Sequence, residues 1–162
     1  MSAATVHGTG TGAVFVQRPA LPVSAPGFYL RHRDGGMVAH ITATPETLRA
    51  IRGLARSVLL FYGATGDDAD SAQLVLSELV GNSVRACGEH HVPLVVEVYT
   101  TAASVTVSVH DPVPELLPHR GTAPMDSDQA VGGRGLALLD VLAPGWSIES
   151  SPVGKTIRCH LA

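Results

Sequence analysis

The chain has 162 residues, 45% hydrophobic and only 15% charged, with a formal net charge of −3. At roughly 150 residues per domain this is one domain, and a chain of that size hides about 70% of its unfolded surface. The balance excludes a disordered chain, a basic protein built to coat nucleic acid and an acidic tail, and 4% aromatics are too few for a base-stacking platform.

Residues 1–27 read as a flexible N-terminal tail. Gly8, Gly10 and Gly12 precede Pro19, Pro22 and Pro26, with one candidate strand at 13–17. The start has neither a basic cluster nor an apolar run, so no secretory leader is visible. The longest charge-free apolar stretch, Val98–Val109, is too short and too rich in Thr and Ser to span a bilayer. Cys87 and Cys159 are too few for a disulfide scaffold. The expectation is a soluble, cytoplasmic protein with reduced thiols.

Residues 28–162 carry the pattern of a folded domain. Met37–Ile41 suits an edge strand, with Gly35-Gly36 as the turn before it. Thr44 and Pro45 mark a helix start, as N-cap and first helical residue, and this helix ends near Gly63. A second helix runs from Asp67 or Asp68 to about Cys87, with Ala72, Val75, Leu76, Leu79, Val80 and Ser83 as its inward stripe. Strands over 94–100 and 104–110 form a hairpin, a loop rich in Pro, Gly and Asp spans 111–131, and a short helix covers 134–142. Strands over 146–150 and 155–161 close the chain as a second hairpin. Helices in a block and strands in hairpins argue for a two-layer α/β sandwich, with helices on one face of a mostly antiparallel, mixed sheet.

Four segments carry candidate chemistry. On the second helix, Glu78, Asn82 and Arg85 share one face with Ser71 and Leu74, at 100° per residue. A carboxylate there can act as a base, an amide oxygen can ligate a hard cation and a guanidinium can meet phosphate; an ordinary solvated helix face is the plainer alternative. Gly132-Gly133-Arg134-Gly135-Leu136 opens a helix, where glycines admit a close ligand and free N–H groups face an anion. It is neither a Walker A loop nor a dinucleotide fingerprint, and a flexible turn is the alternative. Asp111 ends a strand, where a carboxylate can read a donor such as an exocyclic amine or simply form a turn. Gly154-Lys155-Thr156 reads as a hairpin turn and strand start. The eight histidines show no metal-ligand spacing, and no serine sits in a nucleophile elbow.

In this order, Ser77–Arg85 (SELVGNSVR), His110-Asp111-Pro112, Gly132–Leu136 (GGRGL) and Gly154-Lys155-Thr156 resemble the GHKL superfamily of ATP-binding domains, which covers gyrase, the large heat-shock chaperones and histidine kinases. The likeness spans about residues 37–161 and is greatest to the actinobacterial branch related to anti-sigma-factor serine kinases. The resemblance implies the Bergerat-type α/β fold and the cofactors ATP and magnesium. It makes Glu78 the catalytic base or water-orienting residue and Asn82 the magnesium ligand. Asp111 becomes the reader of the adenine amino group, with Thr156 as its supporting hydroxyl. Arg85, Gly133, Arg134, Gly135 and Leu136 would line the phosphates, and residues 116–131 would form the ATP lid. The chain departs from the wider pattern at Ala86, where related kinases often carry His, and at Asp111-Pro-Val-Pro, which lacks the usual glycines.

Two functions from different classes follow. One is an ATP-dependent serine/threonine kinase that phosphorylates an anti-sigma-factor antagonist and also holds a sigma factor. The other is a non-catalytic module in which the nucleotide shapes a surface that sequesters a transcription regulator. A domain with a dead pocket is the third. Direct nucleic-acid binding is disfavoured by the charge. The expected edge strand at Met37–Ile41 leaves room for a homodimer by sheet addition.

Overall fold

Six strands and three helices make up the computed structural model, which describes residues 27–87, 91–113 and 131–161. In chain order they are β1 (Phe28–Arg33), β2 (Gly36–Thr42), α1 (Pro45–Phe61), α2 (Gly66–Cys87), β3 (Pro93–Thr100), β4 (Val105–Asp111), α3 (Val131–Leu142), β5 (Ser147–Ser151) and β6 (Gly154–Leu161). The strands form one sheet in the order β1-β2-β3-β4-β6-β5, and all five pairings are antiparallel, so the described sheet has no parallel pair. The expected strand at 13–17 and the expected lid at 116–131, except Val131, lie outside the described residues.

One expectation about the sheet is corrected. Met37–Ile41 is not an edge: β2 lies between β1 and β3, and β1 is the edge. The turn is Asp34-Gly35, with Gly35 at φ +72°, and Arg33 pairs directly with Gly36. This is a two-residue Asp-Gly hairpin turn with positive φ at the glycine alone. Gly36 already belongs to β2, and a Cβ there would collide with the carbonyl of Val98 on β3. The case for a homodimer through Met37–Ile41 therefore loses its exposed edge.

Alternation along the strands turns Met37, Ala39, Ile41, Val96, Val98, Val107, Val109, Ile157 and Cys159 to one face, where all are buried. The helices cover that face. Helix α2 buries the whole expected stripe (Ala72, Val75, Leu76, Leu79, Val80 and Ser83) together with Ala69. Helix α1 adds Ile51, Ala55, Val58 and Leu59, and α3 adds Leu136 and Leu139. Each fully buried leucine or valine contributes about 1.5–3 kcal/mol, which is far more than helix propensity alone supplies.

The helix starts follow from local chemistry. Thr44 Oγ1 accepts from the Thr47 N–H at 3.1 Å, and Thr47 Oγ1 accepts from the Thr44 N–H at 2.8 Å. This capping box, with Pro45 at the first turn, fixes the start of α1. Helix α2 starts the same way: Thr65 Oγ1 accepts from the Asp68 N–H at 3.1 Å. Arg56 Nε meets Asp70 Oδ1 at 2.9 Å across the two helices. No described helix is long and apolar enough to cross a membrane.

Candidate functional site

The site is built where α2 crosses the end of β4. Asp111, the last residue of β4, is 1% exposed. Ser83 Oγ, from the inward stripe of α2, donates to Asp111 Oδ2 at 3.0 Å. That bond ties the C-terminal half of α2, which carries Asn82, to the end of β4.

Asp111 has three further contacts. The Val113 N–H donates to Oδ1 at 3.0 Å, which is the Asx turn that ends the strand. Lys155 Nζ stands 3.0 Å from Oδ1 and 2.9 Å from Oδ2. The same ammonium donates to the Val113 carbonyl at 2.9 Å. Lys155 is 2% exposed, so this is a buried ion pair with every charge met by a partner.

The β4–β6 register explains why lysine, and not threonine, meets the carboxylate. Asp111 pairs with Lys155, and His110 with Thr156. Side chains alternate across a sheet, so Lys155 shares the helix face with Ile157, Cys159 and Leu161. Thr156 points to the other face, beside His110. The structure therefore does not bring the Thr156 hydroxyl to the face of Asp111, because a one-residue offset on a strand reverses the face. Gly154 makes the junction possible. Its φ is +139°, and an added Cβ would collide with the Asp111 carbonyl and crowd the His110 ring at 2.8–2.9 Å.

Helix α2 carries the other expected residues. Glu78 and Asn82 are half-buried and Arg85 is exposed. Glu78 has no hydrogen-bond or ion-pair partner among the described residues. Arg85 Nη2 donates to Asn82 Oδ1 in a short contact, so the oxygen expected to ligate a cation holds the guanidinium. Asn82 Nδ2 is buried with no partner among the described residues. A buried amide N–H₂ one helical turn from a carboxylate, each without a partner among the described residues, offers a polar ligand two groups to meet. A phosphate oxygen or a metal-bound water fits the amide. Magnesium also fits the neutral amide oxygen once Arg85 swings to solvent or to phosphate, because this ion keeps most of its waters and needs few protein ligands. Among the described residues no three His, Cys, Asp or Glu side chains gather into a metal cage.

The glycine segment lies within α3, not before it: the helix already starts at Val131 and so contains Gly133, Arg134 and Gly135. Its first-turn N–H groups have no intrahelical partners. Leu136 is 2% exposed and packs in the apolar core. Ser83, Lys155 and the Val113 backbone are the site groups that sequence reasoning missed. The alternation Ile157, Cys159, Leu161 was the signal for Lys155.

A family model of the histidine kinase-like ATPase domain matches residues 41–161, most of the chain. The chain belongs to the histidine kinase-like ATPase family. Among curated proteins none matches it. For a histidine kinase-like ATPase domain, the six-stranded sheet with helices on one face is the expected architecture, and membership supports ATP binding in a regulatory protein. The matched segment takes in α2, Asp111 and the β6 junction together.

Proposed function

We propose that this ATPase-family domain binds Mg-ATP on the polar face of α2 and acts as a serine/threonine protein kinase on an anti-sigma-factor antagonist. The observation that carries the reading is the pair of groups on α2 without described partners: the Glu78 carboxylate and, one turn on, the buried amide N–H₂ of Asn82. Magnesium, when bound, neutralises phosphate charge. Asn82 would hold the ion through its oxygen, and Arg85, a planar cation, would be suited to a phosphate. Glu78 accepts the proton of the attacking hydroxyl, whose oxygen joins the γ-phosphorus as the bond to the bridging oxygen breaks and ADP leaves. Such transfer needs mainly positioning and charge neutralisation, which this set supplies.

The first test is thermal unfolding with and without Mg-ATP. A ligand at 100 times its Kd adds about 2.7 kcal/mol, which raises Tm by roughly 5–10 °C for a chain of this size. The shift is expected to depend on magnesium and to vanish in Asn82→Ala. Labelled phosphate transfer to candidate antagonists then tests the kinase step. Glu78→Gln is expected to lose about 10²–10⁴-fold of it while keeping nucleotide affinity. Binding without transfer to any antagonist would discard the kinase. The second reading, a nucleotide-shaped module that sequesters a sigma factor or its antagonist, is favoured by one observation: Asp111 is already engaged by Lys155.

A further inference from the structure

We infer that Lys155 closes the base-reading end of the site, so that this domain takes nucleoside triphosphates through their phosphates and magnesium without reading an amino group on the base. The inference rests on the proposed nucleotide site and concerns only its selectivity. An ionised carboxylate offers about four lone-pair sites. Asp111 Oδ1 faces the Val113 N–H and Lys155 Nζ, each at 3.0 Å. Its Oδ2 faces Ser83 Oγ at 3.0 Å and Lys155 Nζ at 2.9 Å. The ammonium lies against both oxygens and shields the carboxylate from an exocyclic amine.

The lysine is held as closely as the acid. Its Nζ donates to Asp111 Oδ1 and to the Val113 carbonyl, and it pairs in charge with Asp111 Oδ2. Turning it to read a base carbonyl would break these contacts. Displacing it is costly, since it would strand two charges that are 1–2% exposed. The register makes the arrangement intrinsic to the fold: Asp111 and Lys155 are cross-strand partners, and Gly154 admits the Asp111 carbonyl where a side chain would block it. The position an amino group would occupy is held by an ammonium of the chain itself.

The test compares Mg-ATP, Mg-GTP and the Mg-complex of purine riboside triphosphate, which is ATP without its amino group, by calorimetric titration. The wild type is expected to bind all three within about threefold, whereas one hydrogen bond to a charged group is worth about tenfold or more. Lys155→Met, which keeps length and removes charge, is expected to gain about tenfold for ATP over the amino-free analogue. Lys155→Met combined with Asp111→Leu is expected to lose that gain. A wild type that already prefers ATP about tenfold overturns the inference and leaves the nucleotide reading intact. A folded Lys155→Met that stays indifferent also overturns it. Binding of ATP by Lys155→Met alone, with none by the wild type, also overturns it, because the phosphates and magnesium would then not suffice for binding. Binding of no triphosphate by either protein removes the nucleotide reading and the inference together. If Lys155→Met fails to fold, a crystal structure of the wild type with magnesium and a non-hydrolysable ATP decides: an intact Lys155–Asp111 contact supports the lock, and a base amino group on Asp111 overturns it.

Discussion

Asp111 and Lys155 depend on each other in a way that single substitutions expose. Asp111→Ala leaves a buried ammonium with only the Val113 carbonyl, and breaking a buried pair in this way costs about 3–5 kcal/mol. Replacing both with apolar residues of similar size is expected to cost far less, so urea denaturation of the two singles and Asp111→Leu/Lys155→Met should give strongly non-additive stabilities. Gly154→Ala meets two penalties, a φ of +139° and a collision with the Asp111 carbonyl, and should lose at least about 1–3 kcal/mol. Burial pushes the Cys159 thiol up from 9.0 to about 12. Its folded form holds the proton more tightly than the unfolded chain, so its stability contribution is complete below pH 9 and is lost as pH rises towards about 12. At pH 8 Cys159 is expected to stay a thiol and resist disulfide reagents until the protein unfolds, while half-buried Cys87 reacts first. Faster labelling of Cys159 than Cys87 in the folded protein would contradict this.

At the scale of the element, legibility tracked how strongly one physical signal dominated. Helix α1 announced itself through Thr44-Pro45, and the capping box predicts a loss of about 1 kcal/mol for Thr44→Ala in chemical denaturation. The stripe of α2 was legible to the residue because its apolar positions recur every three or four; Leu79→Ala should cost about 2–5 kcal/mol. Strand β1 was not legible, because an edge strand buries little: only Leu30 of Phe28–Arg33 is fully buried. The turn beside it was misplaced because Gly35-Gly36 looks like one unit, whereas only Gly35 has positive φ and Gly36 is needed for a close approach to β3. On α2 the grouping of Glu78, Asn82 and Arg85 was legible from helical geometry. The partner of Asp111 was not, since it hangs on strand register, and an isolated GKT triplet does not reveal which of its residues faces inward.

At the scale of the molecule, the sheet is three local hairpins joined by two long connections. β1–β2, β3–β4 and β5–β6 each close over a short turn, while β2–β3 spans both long helices and β4–β6 spans the chain between 111 and 154. The site straddles the second of these seams, with Ser83 and Asn82 on one side and Lys155 on the other. Mg-ATP is therefore expected to protect amides of α2 in hydrogen exchange, with little change at β1, which lies at the far edge of the sheet.

The central position of β4 has a consequence for the chain while it is being made. Val105, Val107 and Val109 of β4 are shielded on one side by β3, but β6, their other neighbour, leaves the ribosome more than forty residues later. Until it arrives, a valine-rich strand stands as a raw border of the sheet, open to any passing extended peptide. A nascent chain arrested before Gly154 also carries Asp111 with no cation to answer it. Such intermediates are the natural clients of a chaperone, and slow decoding between 112 and 153 should lower the soluble yield more than the same delay within α1.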